Sequence, residues 1–133
     1  MILREVLHAH VPTLMPESTF RDAVDKMDIY QFPALVVVDD ENAVLGVVTE
    51  GDLCRAVSAS GSLVSLADQP AFRFATREPE VASADTEIGD ALHRMLMSGL
   101  TILPVVEHDR LSGVVLRVDL MQAILMDLQA EEV

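Results

Sequence analysis

The chain has one cysteine, no tryptophan, one tyrosine and only 9 lysines and arginines among its 133 residues. A single thiol, Cys54, excludes an internal disulfide framework and fits a reducing compartment, so a cytoplasmic protein is expected. The shortage of cations carries further, because 22 acidic residues stand against them for a formal net charge of −13. That charge repels phosphate backbones and anionic lipid surfaces. The scarcity of aromatic rings also removes the stacking platforms that single-strand binders use. Neither nucleic acid nor membrane is expected as a partner. No apolar run approaches the ~18 residues of a membrane helix. The opening Met1-Ile2-Leu3-Arg4-Glu5 meets an acid where a secretory signal places its apolar stretch, so a soluble and unprocessed chain is expected. What the sequence does have is apolar content, 50% of its residues, enough for one core at this length without metal or disulfide staples.

That apolar content is written twice. Phe20, Ala23, Val24 and Met27 recur as Ile88, Ala91, Leu92 and Met95, each pair 68 residues apart and each set spaced i, i+3, i+4, i+7. This spacing predicts one apolar helix face in each copy. Asp22-Ala23 and Asp90-Ala91 match inside it, and Ser18 or Thr19 and Asp85 or Thr86 offer N-caps. A short apolar run follows each helix, Ala34-Leu35-Val36-Val37-Val38 and Leu103-Pro104-Val105-Val106, then a polar turn, then a returning strand, which predicts a β-hairpin. From there the offset is 67, so the second turn is one residue shorter. Both copies close on a related phrase, Gly46-Val47-Val48-Thr49-Glu50-Gly51-Asp52-Leu53 and Gly113-Val114-Val115-Leu116-Arg117-Val118-Asp119-Leu120, which runs from strand into helix. The closing helices are expected to turn Leu53, Ala56 and Val57, and Leu120, Ala123 and Ile124, inward. Brief opening strands at Thr13-Leu14 and Val81-Ala82 complete two β-α-β-β-α units, about 11–57 and 79–125. Units of this size are marginal alone, which predicts that the two share one core. Residues 58–78 form the connector, with a helical turn over Leu63 to Asp68, and residues 1–10 are expected to form a short leading helix.

These residues resemble the paired CBS (cystathionine β-synthase type) repeat, or Bateman module. The signature Gly-hydrophobic-x-(Ser/Thr)-x-x-Asp after a hairpin strand is complete in the first copy and lacks its hydroxyl in the second, where Leu116 stands. The resemblance implies a single α/β module of tandem repeats with approximate twofold symmetry, dimerising into a flat four-repeat assembly. It also implies a cleft for adenosine compounds such as AMP, ADP, ATP or S-adenosylmethionine. In that placement Asp52 and Asp119 accept hydrogen bonds from ribose hydroxyls, and Thr49 faces ribose or phosphate. Main chain around Thr13, Leu14, Ala34, Leu35 and Val36 surrounds one adenine, and Val81, Ala82, Ile102, Leu103 and Pro104 the other.

The spacing lends this independent support. A carboxylate accepts through two oxygens and can grip vicinal hydroxyls. A helix start beside it offers unpaired N–H groups and a positive end that favours phosphate. The plain alternative is that Thr-x-x-Asp only caps the helix. Thr49 supplies a hydroxyl that Leu116 cannot, Gly51 lets main chain approach a ligand more closely than Val118 does, and Arg117 can partly compensate in the second copy by pairing with a phosphate.

Other constellations point to no chemistry. His8 and His10 have no third ligand nearby, and His93 and His108 are expected to be partly exposed polar residues, so no metal site is expected. Cys54 lacks a neighbouring base and is expected to be a half-buried structural thiol. The methionines Met95, Met97, Met121 and Met126 are expected to fill core or face a partner. The acidic turn Asp39-Asp40-Glu41 and tail Glu131-Glu132 are expected to be solvated. The expected function is that of a regulatory adenosine-ligand sensor acting on a protein partner, with no catalytic residue and no required cofactor, and with a homodimer packed through surplus apolar helix residues such as Leu96, Leu125 and Leu128. The alternative expectation is a ligand-free structural or dimerisation module.

Overall fold

An amphipathic helix followed by two apolar strands buries both kinds of surface if the strands pair and the helix covers them, and the chain does this twice. A computed structural model describes residues 1–131, with side chains to residue 128. The elements are β1 (Thr13–Leu14), α1 (Phe20–Tyr30), β2 (Ala34–Val38), β3 (Val44–Thr49), α2 (Glu50–Ala59), α3 (Leu63–Ala67), β4 (Thr76–Arg77), β5 (Ala82–Ser83), α4 (Ile88–Met97), β6 (Ile102–Glu107), β7 (Arg110–Leu116) and α5 (Arg117–Glu131). Short 3-10 turns occupy Leu3–Glu5 and Ala71–Phe74. The class is α/β with tandem β-α-β-β-α repeats. Two units divide the chain, one of Pro12–Pro79 and one of Met1–Val11 with the chain from Glu80 onward.

In the first unit β1 runs parallel to β2, with Thr13 opposite Val36, and β2 runs antiparallel to β3, with Ala34 opposite Thr49. All five residues of β2 are buried, which explains a continuous apolar run where a half-exposed strand would alternate. The core gathers Leu14, Phe20, Leu35, Val37, Val48, Leu53 and Leu66. Helix α1 starts at a capping box: Thr19 Oγ1 accepts the Asp22 N–H at 3.1 Å and the Asp22 carboxylate accepts the Thr19 N–H at 2.9 Å. That backbone hydrogen bond is the main cause holding the Asp22 carboxyl below the usual carboxylate range. The second unit repeats the plan, β5 parallel to β6 and β6 antiparallel to β7, over a core of Leu3, Met95, Leu103, Val105, Val115 and Leu120.

The shorter second hairpin has a physical form. His108 and Asp109 both take positive φ, 53° and 63°, as a two-residue turn matched to strand twist requires. The longer first turn is fastened by Asp39, whose Oδ1 accepts the N–H groups of Glu41 and Ala43 at 2.9 Å each. Asp39 is therefore a turn fastener, where solvated surface was expected. The Glu131-Glu132 tail lies outside the described side chains.

A leading segment completes the edge of each hairpin's sheet. β4 takes the free edge of β3 at Gly46, with Gly46 opposite Arg77. In the other unit the segment before β1 takes the edge of β7: the His8 N–H donates to the Val114 carbonyl at 2.9 Å and the Val114 N–H to the His8 carbonyl at 3.1 Å. The leading segments Leu3–Glu5 and Ala71–Phe74 start at equivalent positions of the two copies, and each belongs to the unit built on the other copy's hairpin. The leading helix expected over residues 1–10 is thus a single 3-10 turn followed by a β-bridge, because these residues are used to complete a sheet edge. Arg4 fastens the segment, pairing with Asp85 at 2.7 Å and with Glu107. The hydrogen bond from Arg4 keeps the Glu107 carboxyl below its ordinary range.

Smaller differences have local causes. The second opening strand is Ala82–Ser83, one residue later than expected. Helix α4 begins after Glu87 without a side-chain cap, and the expected cap Asp85 is taken by Arg4. Val24 and Val57, expected on core faces, are 43% and 39% exposed, while Phe20, Ala23 and Leu53 supply the buried contacts of their helices. Met95 is buried, whereas Met97, Met121 and Met126 are exposed.

Candidate functional site

In the first unit the candidate residues gather where β1, β2 and β3 meet the start of α2. Thr49 ends β3 and caps α2, its Oγ1 accepting the Asp52 N–H at 3.1 Å. Asp52 Oδ2 accepts the Thr49 N–H at 2.9 Å, so the pair forms a complete capping box. Asp52 Oδ1 receives the Arg55 guanidinium at 2.5 Å. Both carboxylate oxygens are engaged, but Arg55 is 74% exposed, and an exposed ion pair of this kind yields readily to a competing donor. Ala34 faces Thr49 across the hairpin and Thr13 faces Val36, so the predicted residues do share one end of this three-strand arrangement. Leu14, Ala34, Leu35 and Val36 are buried side chains, which leaves Thr13, Thr49, Gly51 and Asp52 as the partly exposed members. A Cβ at Gly51 would meet the Arg55 guanidinium at 3.3 Å and Thr49 Oγ1 at 3.7 Å, so this glycine keeps room beside the ion pair without any backbone requirement.

The second unit builds half of this. Asp119 Oδ2 accepts the Leu116 N–H at 2.8 Å, but Leu116 has no hydroxyl to return the contact. The same Oδ2 lies 2.9 Å from His8 Nε2, contributed by the leading segment. Oδ1 of Asp119 has no hydrogen bond among the described residues. Arg117 is exposed and unpaired among the described residues, where Glu50 stands in the first copy. Val81 is partly exposed, while Ala82, Ile102, Leu103 and Pro104 are buried, with Ile102 opposite Leu116 and Pro104 opposite Val114.

Two contacts escaped the sequence reading. Lys26 Nζ donates to the Thr13 carbonyl at 2.6 Å, and Arg94 Nη1 donates to the Val81 carbonyl at 2.9 Å. A similar anchor thus occurs in both copies, from the repeat helix to the first residue of β1 in one and to the residue just before β5 in the other. Its signal was a cation at equivalent positions of the two helices. The His8–Asp119 contact had no such signal, since 111 residues separate the partners.

Cys54 is exposed, which corrects the half-buried thiol expected: Leu53 takes the inward position, and the next helical residue turns away from it. It lines an open hollow of about 440 Å³ with Met27, Phe32, Pro33 and Glu50, and no histidine lines it to act as a base. Among the described residues no three His, Cys, Asp or Glu side chains are grouped to hold a metal, and no helix is long and apolar enough to cross a membrane.

The CBS domain model matches the chain twice, over residues 3–59 and 71–126. An uncharacterized 17.7 kDa protein from Acidianus ambivalens is 31% identical over 122 residues, covering 91% of this chain and 71% of that protein. Other curated relatives are longer, and the chain spans only 31% of one from Chlamydia muridarum and 22% of the inosine-5'-monophosphate dehydrogenase of Methanocaldococcus jannaschii. Among solved structures, a candidate acetoin utilization protein from Vibrio cholerae superposes with a TM-score of 0.86 at 22% identity, covering 99% of this chain and 96% of that one. CBSX2 in complex with AMP gives 0.83 at 24% identity, covering 94% and 96%. A CBS domain pair in complex with 5'-methylthioadenosine and S-adenosyl-L-methionine gives 0.81 at 18% identity, covering 93% and 95%.

Proposed function

The chain belongs to the CBS-domain family, and on that premise we propose that it is a regulatory module that binds an adenosine-containing ligand and performs no chemistry itself. The observation that carries this is the duplicated carboxylate. Asp52 and Asp119 are each fixed at a strand-to-helix junction by the main-chain N–H three residues earlier, so that a partly exposed acceptor stands beside a helix start. Capping uses only one oxygen of each, and a carboxylate has acceptor capacity left for ribose hydroxyls. The AMP and S-adenosyl-L-methionine complexes of structurally similar proteins support the ligand class. Regulation requires that the ligand favour one conformation over another, and a protein partner would read that change.

The charge of the chain selects among ligands. With Glu50 inside the first junction and a net charge of −13, a metal-free triphosphate meets repulsion that a monophosphate or sulfonium ligand largely avoids. Calorimetry is expected to show AMP binding, and binding it more tightly than ATP without magnesium. Tighter binding of metal-free ATP would overturn the charge argument, and no binding of any adenosine compound would overturn the functional reading.

A specific observation favours an association role beside ligand binding. Leu96 and Met97 of α4 and Met121, Leu125, Met126 and Leu128 of α5 are all at least half exposed. Scattered apolar residues need no explanation, but this many on two helices of one unit favour burial against a second copy. A dimer would cover roughly 1,200 to 2,000 Å². Sedimentation at micromolar concentration is expected to give twice the 14.5 kDa chain mass, and a monomer alone would count against this assembly.

A further inference from the structure

We propose that His8 is the positioning residue of the second repeat's ligand carboxylate, so that the leading segment tunes how tightly Asp119 binds. This rests on the ligand-binding reading above and specifies how its weaker half works. In the first copy, Thr49 and Asp52 orient each other through both bonds of a capping box. In the second copy Leu116 removes one of those bonds, and the structure fills the gap from elsewhere: His8 Nε2 reaches the same Asp119 oxygen that accepts the Leu116 N–H. Two donors thus share Oδ2, and Oδ1 has no hydrogen bond among the described residues.

The imidazole is delivered by rigid backbone. The His8 N–H and carbonyl are both tied to Val114, and Leu3, five residues earlier, is fully buried in the same unit. Gly113 permits the approach, since a Cβ there would stand 2.2 Å from the His8 carbonyl oxygen. The equivalent position of the first unit is Thr76 on β4, and there Asp52 takes its side-chain donor from Arg55 on its own helix. The two sites therefore differ in kind: one carboxylate is set locally, the other by a segment 111 residues distant. The ring contact needs a proton on Nε2, which both the cation and one neutral tautomer supply.

The test is calorimetric titration with AMP of the wild type, His8→Ala and His8→Gln, each first shown to be folded. Glutamine can place its Nε2–H2 where the imidazole Nε2–H stands. The expected result is two binding steps in the wild type, with His8→Ala weakening the second step by about three- to tenfold, a modest share of what a hydrogen bond to a charged group supplies. The first step should be unmoved, and His8→Gln should restore the second to within about twofold. In parallel, ¹⁵N spectra of the wild type should show the His8 ring shifts moving with the second step and not with the first. If His8→Ala matches the wild type, if glutamine fails to rescue, or if both steps weaken together, the inference is wrong while the functional reading stands. Failure of the wild type to bind AMP or any other adenosine compound would overturn the functional reading and the inference with it.

Discussion

Gly113→Ala should be among the most destabilising single-methyl changes this chain can suffer, lowering stability by about 3 kcal/mol, the upper part of the range for overpacking. The new Cβ would lie 2.2 Å from the His8 carbonyl oxygen and 2.7 Å from Leu7 Cδ1. A side chain such as Leu7 can rotate away, but the carbonyl belongs to a backbone fixed by both bonds to Val114. Relief therefore requires the leading segment to lift off β7, which also exposes Leu3. The equivalent change, Gly46→Ala, meets the Thr76 carbonyl at 2.9 Å and the Phe72 ring edge at 3.0 Å. That is a lesser conflict on a two-residue strand, and about 1 to 2 kcal/mol is expected. Chemical denaturation of both variants gives the ranking. A neutral Gly113→Ala would mean that the segment does not lie on β7 as described.

Those two glycines also mark where the sequence could be read and where it could not. Helices α1 and α4 were legible because Phe20, Ala23 and Met27 recur as Ile88, Ala91 and Met95 at one spacing, and the hairpins because β-branched runs flank polar turns. The leading segments were not, since Leu3 to His8 and Ala71 to Arg77 carry little periodicity, and their conformation is imposed by a sheet edge far away in sequence. Gly46 and Gly113 open the repeated phrase and were read as part of a signature, but their requirement is steric and lies in what packs on them. Likewise Asp52 and Asp119 stand out through the repeated phrase and its resemblance to the CBS signature, while their partners divide: Arg55 is three residues away and His8 is not. Local contacts leave a pattern in the chain, whereas long-range ones leave only the residue types.

Asp52→Ala should remove most measurable binding of AMP, whereas Asp119→Ala should leave the tighter site largely intact. The loss of a carboxylate that holds ribose hydroxyls costs on the order of 1.5 to 3 kcal/mol, roughly ten- to a hundredfold in affinity. The first site is expected to be the stronger because Thr49 completes the capping box that Leu116 cannot, so less reorganisation is left for the ligand to drive. Arg55 adds to this as an exposed guanidinium paired with Asp52, a group suited to a phosphate on the same ligand. Against it stands Arg117, already unpaired at the second junction where the first carries Glu50, which narrows the difference for anionic ligands. Each aspartate also caps its helix, so either alanine costs ~1 kcal/mol of stability before any ligand is considered. Asp52→Asn and Asp119→Asn separate the two effects, because the amide oxygen can still accept the capping N–H while the charge and one acceptor are gone. Affinities should therefore be compared among variants whose unfolding midpoints lie above the working temperature by a clear margin. If folded Asp119→Ala proves the more damaging change, the principal site belongs to the second repeat, and Arg117 outweighs the missing hydroxyl.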